Sequence, residues 1–193
     1  MDIILASSSK RRIEIMNELF GDKYRIQVAD IEEFVDSYSS NEELVKKLSF
    51  MKAKAVFDSN NDALVLGFDT LVFHNDEVIG KPQNREECIK MIEDLSDDTH
   101  EVITGFTMMS KDYTESFSSR CLVHFTKIPH DEIENYSLSD EPYDKAGGYA
   151  IQGYIGRYID KIDGDYFTVV GFPKSLVYNK VMNYLKEKQW LSI

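Results

Sequence analysis

Directly after the apolar stretch Ile3-Ile4-Leu5-Ala6, three hydroxyls and three cations follow one another as Ser7-Ser8-Ser9-Lys10-Arg11-Arg12. A short strand handing over to a helix exposes unpaired backbone N–H groups and partial positive charge. Ser7, Ser9, Arg11 and Arg12 at that junction make a site that favours a polyphosphate. Read alone, the run is equally a helix capped by Ser8 or Ser9 with a solvated cationic face. Asp69 follows the apolar run Ala63-Leu64-Val65-Leu66-Gly67, and a carboxylate where a strand stops is held by the sheet yet reaches a ligand; a turn-capping Asp is the alternative. Lys81 stands before Pro82, whose ring restricts the preceding backbone and so aims the lysine, although a Lys-Pro pair also marks an ordinary turn. Between Glu141 and Gly156 lie four glycines together with Asp144, Lys145 and Gln152. Such a stretch lets backbone approach a ligand closely, or simply packs as a tight aromatic loop.

These groups need elements to hold them. Strands are predicted over 2–6 and 24–28, with the helical pattern Ile13, Ile15, Met16, Leu19, Phe20 between them. A second helix runs from Asn41, as N-cap, to about Phe57, carrying Lys52. A buried strand over 63–67 ends at Phe68-Asp69-Thr70, and the segments 71–73 and 77–79 form a hairpin across His74-Asn75-Asp76. A helix over 85–95 shows Cys88, Met91, Ile92 and Leu95 at helical spacing; long strands follow over 100–109 and 115–126, then a helix near 131–136. Strands at 158–162 and 166–170 and a helix at 175–188 close the chain. Early alternation of helix and strand with hairpins in the middle predicts an α/β fold with a mixed twisted sheet flanked by helices. Residues 1–193 read as one domain, two lobes sharing the sheet around a cleft.

Composition narrows the partners. With 34 acidic and 22 basic residues, a net charge of −12 and 42% hydrophobic residues, the chain reads as globular, with no nucleic-acid or membrane partner. An anionic ligand must therefore meet a local positive pocket. Cys88 and Cys121 lie far apart in sequence and read as buried thiols, and the four histidines show no metal-ligand spacing. No signal-like segment opens the chain and no apolar run is long enough for a bilayer, so a cytoplasmic protein is expected.

Together the segments resemble the Maf family of nucleoside triphosphate pyrophosphatases over nearly the whole chain. Its Ser-x-Ser-Pro-Arg-Arg is matched by Ser7 to Arg12, its Gly-Ala-Asp-Thr by Gly67 to Thr70, and its Gly/Glu-Lys-Pro by Gly80 to Pro82. Asp-Lys-Ala-Gly-x-Tyr-x-Ile-Gln-Gly is matched by Asp144 to Gly153, and the closing Gly-Asp-Tyr-x-x-Val-x-Gly-x-Pro by Gly164 to Pro173. Two departures stand out: Lys10 replaces the motif proline, and Phe68 replaces a small alanine beside the acid, so packing there must differ.

The resemblance implies a Maf/ITPase-like fold and hydrolysis of the α–β phosphoanhydride bond to give a monophosphate and pyrophosphate. It implies Asp69, Lys52 and Lys81 as catalytic groups, and Ser7, Ser9, Arg11, Arg12, Thr70, Asp144, Lys145 and Gln152 as substrate-binding ones. Asp69 and Glu33 would hold a divalent metal cation, Mg2+ or Mn2+, since carboxylate and phosphate oxygens suit a hard ion. A carboxylate alone is a weak base at neutral pH, so the metal would also acidify the attacking water. In the dTTP/UTP-preferring branch the positions of Arg12, Thr70 and Gln152 are linked to specificity, and all three residue types are present. A Gln amide offers a donor and an acceptor, matching the N3–H and a carbonyl of uracil or thymine. A flipped amide also pairs with cytosine, and a modified pyrimidine nucleotide remains open. Alternatives are 7-methyl-GTP hydrolysis, whose branch carries Trp where this chain has Arg11, and a non-catalytic nucleotide-binding regulator of cell division or septum formation. The resemblance also allows a homodimer, with Met182 and Leu185 on the last helix as contact residues.

Overall fold

β1 (Ile3–Ala6), β2 (Arg25–Ile26) and β3 (Leu64–His74) open a seven-stranded mixed sheet of order β2-β1-β3-β5-β6-β7, with β4 paired to β3. A computed structural model describes residues 2–189. β1 pairs in parallel with both neighbours, in a register that sets Ala6 beside Gly67. β1 therefore stops level with Phe68, and the chain leaves it to start α1 (Lys10–Phe20) beside the middle of β3. α2 (Asn41–Phe57) begins one residue earlier than an Asn41 cap would give: the Ser40 hydroxyl accepts from the Glu43 N–H, and the Glu43 carboxylate accepts from the Ser39 N–H.

β3 differs from expectation in an instructive way. The apolar strand does not stop at Phe68 but runs 11 residues, Leu64–His74, so Asp69 lies mid-strand. The predicted hairpin is its far end: β4 (Glu77–Ile79) pairs antiparallel through Val72↔Ile79, and Asn75 and Asp76 take left-handed φ of 52° and 64°, as a two-residue type I′ turn requires. α3 (Arg85–Leu95), β5 (Thr99–Ser110), β6 (Tyr113–Phe125) and α4 (His130–Tyr136) occur where the pattern placed them. After three short 3-10 turns, β7 (Ile159–Gly164) pairs antiparallel with β6.

The segment 166–170 is a correction: it forms the short helix α5 (Tyr166–Val170) and not a strand. Its Tyr-Phe-Thr-Val-Val composition favours strand locally. The Asp165 carboxylate, however, accepts from the Phe167 N–H (3.0 Å) and the Asp165 carbonyl from the Thr168 N–H (2.9 Å), closing a helical turn right after Gly164. α6 (Lys174–Glu187) follows and buries Val177, Val181 and Tyr184.

By contacts the chain forms two compact units. The first comprises Met1–Asp69, Thr104–Ser119 and Gly171–Ile193; the second comprises Thr70–Ile103 and Arg120–Val170. In the first, Ile4, Ala53, Val56, Val65 and Met109 pack between strands and α2. Phe68, the expected packing departure, stacks at 4.9 Å on Phe106 and 4.8 Å on Phe172, so the extra ring volume is absorbed by two further aromatics. In the second, Cys88, Ile92 and Leu95 of α3 pack with Val102, Val123 and Phe125 of the strands. Both thiols are buried and free, and burial pushes each up to about 11. No helix among the described residues is long and apolar enough to cross a membrane.

Candidate active site

In the first unit, the register of β1 against β3 brings the start of α1 to the level of Asp69. The Arg12 guanidinium donates through Nε to the Gly171 carbonyl (2.9 Å), and through one terminal nitrogen to the Ser7 hydroxyl (3.2 Å) and the Phe68 carbonyl (3.3 Å). It also lies 5.4 Å from the Phe68 ring centroid. Arg12 is thus a fixed charge, tied to three separate chain segments. Burial, opposed by the nearby Asp69 carboxylate, lowers it to about 10, aided by the neighbouring Arg11 charge; it stays protonated at neutral pH. Ser9 caps α1 through its backbone only: its side chain makes no capping bond, and its N–H donates to Ser7 Oγ at 3.2 Å.

Asp69 is 5% exposed, yet only one of its carboxylate oxygens is paired. Oδ1 accepts from Lys52 Nζ at 2.5 Å, whereas Oδ2 is buried without a hydrogen-bond partner. The same ammonium stands 3.0 Å from Oε1 of Glu33, so Lys52 bridges two carboxylates. A buried carboxylate oxygen left unpaired costs free energy unless a ligand or water satisfies it. This is the strongest local sign of a binding site in the unit.

Two glycines let Lys52 reach this place. A Cβ at Gly67 would sit 2.7 Å from the Ala53 nitrogen and 2.8 Å from the Ala53 Cβ; one at Gly105 would sit 2.5 Å from the Val45 carbonyl carbon. α2 therefore lies with its backbone directly on β3 and β5. Gly67 and Asp69, two apart on one strand, face the same side, which is the side α2 covers. Ser49 on α2 adds a hydroxyl chain, at 2.8 Å to Thr107 and from there 2.8 Å to Ser116. No sequence spacing suggested Gly105; Gly171 falls in the closing motif, but nothing there gave its carbonyl, 159 residues from Arg12, a role.

The remaining expected residues belong to the second unit. Thr70 follows Asp69 in β3 and is half-buried, and Lys81 is exposed ahead of the buried Pro82. The Gly147 N–H donates to the Gly80 carbonyl at 2.9 Å, tying the glycine-rich stretch to the Lys81 turn. Lys145 Nζ donates to Asp144 (2.5 Å) and to the Glu141 carbonyl (2.6 Å). Gln152 stands exposed in a turn closed by Gly153 N–H to the Ala150 carbonyl at 2.9 Å. Below that turn the Tyr149 hydroxyl meets the buried His100 at 2.5 Å. Among the described residues no group of three or more His, Cys, Asp or Glu side chains is placed to hold a metal ion.

Comparison with known proteins gives the family and the fold. The family model described as Maf-like protein matches residues 2–184. A protein from Bacillus anthracis named dTTP/UTP pyrophosphatase is 42% identical over 182 residues, 94% of this chain and 95% of that one. Among solved structures, a Ham1 protein from Staphylococcus aureus superposes with a TM-score of 0.57 at 15% identity, covering 97% of this chain and 100% of that one. A HAM1 protein from Coxiella burnetii gives 0.59 at 16% identity, covering 97% and 99%. At these identities the two structures establish a common fold.

Proposed function

We propose that this chain, which belongs to the Maf-like protein family, hydrolyses dTTP and UTP to the monophosphate and pyrophosphate. The observation that carries the reading is the buried Asp69 with one oxygen on Lys52 and the other open, beside the fixed charge of Arg12. Such a group has parts that phosphoanhydride cleavage requires: cations for the nonbridging oxygens and an acceptor for the proton of water.

In this reading Arg11, Arg12 and Lys81 neutralise the triphosphate, and the Ser7 and Ser9 hydroxyls with the N–H groups at the start of α1 orient it. Lys52 holds Asp69 in place. The open Oδ2 takes the proton from the water that attacks in line. A divalent cation would be held by Asp69 and Glu33; its chemistry is to neutralise phosphate charge and to acidify the water. The donor set suits such an ion, since the carboxylates of Asp69 and Glu33 both lie within reach of one ammonium. Asp144 and Lys145 brace the glycine-rich stretch, from which Gln152, with Thr70, reads the base. The amide donor and acceptor of Gln152 match uracil or thymine. A 2′-hydroxyl meets no dedicated contact in this scheme, so ribose and deoxyribose nucleotides are both substrates. The cytoplasm, where such nucleotides occur, is its proposed location.

The test is pyrophosphate release across a panel of triphosphates with Mg2+ or Mn2+. dTTP and UTP are expected to lead in kcat/KM; a lead for 7-methyl-GTP, or binding without pyrophosphate, overturns the proposal.

A further inference from the structure

We propose that Glu141 is a positioning residue for base recognition, a deeper statement of the proposed function on which it rests. Glu141 lies 11 residues before Gln152 in sequence, yet its carboxylate lies against the turn that carries it. Both carboxylate oxygens accept from the Tyr154 N–H, at 3.2 and 3.3 Å. A Cβ on Gly153 would overlap Oε1 of Glu141, so only glycine lets the carboxylate sit flat against the backbone just after Gln152. The turn is thereby closed twice: once by its own Gly153 N–H to Ala150 carbonyl bond, and once from outside by a charged acceptor.

Glu141 is itself held. Its carbonyl accepts from Lys145 Nζ at 2.6 Å, so one residue links the lysine of the Asp-Lys pair to the turn of Gln152. Beyond the turn, the Tyr154 ring stacks on the buried Tyr136 (centroids 6.1 Å apart) and lies beneath the Arg157 guanidinium at 3.7 Å, and its hydroxyl bonds Glu132. Tyr136 in turn donates to the Gly148 carbonyl at 2.9 Å. Gln152 has one amide to offer and must present it in one orientation; fixing the peptide N–H two residues on is what sets that orientation.

The consequence is a split between binding and chemistry. Glu141→Ala is expected to raise KM for dTTP and UTP about tenfold and to narrow their preference over CTP, with kcat changed less than about threefold. Glu141→Gln, whose amide oxygen still accepts the Tyr154 N–H, is expected to stay within about threefold of wild type. Gly153→Ala reaches the same contact from the other side and is expected to behave like Glu141→Ala if the latter does not fold. In a Gln152→Ala background, adding Glu141→Ala is expected to change base discrimination no further. Wild-type KM and base ratios in both Glu141→Ala and Gly153→Ala, or effects that add to those of Gln152→Ala, overturn the role of Glu141 while leaving the pyrophosphatase intact. A wild-type protein with no preference for dTTP and UTP over CTP overturns it together with the proposed specificity.

Discussion

Lys52 stands between Asp69 and Glu33, where its ammonium already pairs with both carboxylates before any nucleotide arrives. Arg11, Arg12 and Lys52 set three positive charges against those two negative ones, so a free divalent cation meets a site with no surplus of negative charge. A triphosphate reverses that balance. We therefore expect Lys52→Met to tighten Mn2+ binding by the nucleotide-free protein at least about tenfold, a change of about 1.4 kcal/mol, as read by titration calorimetry or the Mn2+ resonance signal. Unchanged affinity would remove Lys52 from this role. At this scale Asp69 and Arg12 stood out in the sequence because phosphate chemistry would use their side chains, whereas Lys52 came only from the family resemblance. The part played by Gly171, a motif residue, was not readable, because it contributes a carbonyl, which every residue has. The meaning of Phe68 also needed coordinates, since its partners Phe106 and Phe172 come from other strands and loops.

α2 is placed by what Gly67 and Gly105 lack. Gly105→Ala puts a methyl group against the Val45 carbonyl, and overpacking of this kind costs about 1–3 kcal/mol. The helix must shift or the strand must bend, and either moves Lys52 relative to Asp69. A lower urea midpoint together with a fall in kcat is expected; lost stability with full kcat would separate the packing from the chemistry. Elements with strong local signals were readable: the Asn75-Asp76 turn announced the β3–β4 hairpin, and α3 carried its apolar spacing. Two were not. β3 hid its continuity because Asp69-Thr70 looks like a polar stop, although parallel β1 lies beside its first half and β4 beside its second. α5 hid behind strand-forming residues, because a single Asp165 cap after Gly164 outweighs five weak propensities.

For the molecule as a whole, a chain of net charge −12 sets Lys10, Arg11 and Arg12 in a row at the start of α1, and a Maf-like fold follows from motifs spread from Ser7 to Pro173. Global stability carries its own signature through His100. Burial lowers this imidazole from 6.5 to about 3, so it stays neutral in the folded protein while the unfolded chain protonates it. Its neutral burial favours folding fully above pH 6.5, and that contribution fades as pH falls toward 3. Replacing it by Phe is expected to shrink the loss of unfolding free energy between about pH 7 and pH 5 by about 2 kcal/mol, measured by urea denaturation; an unchanged loss would place the titrating group elsewhere. The central claim, that the carboxylate at position 69 takes the proton of the attacking water, is tested most directly by Asp69→Asn with dTTP and Mg2+. The account predicts that nucleotide still binds and the fold persists while pyrophosphate release falls about 10²- to 10⁴-fold. Near-normal pyrophosphate release from that variant would contradict it.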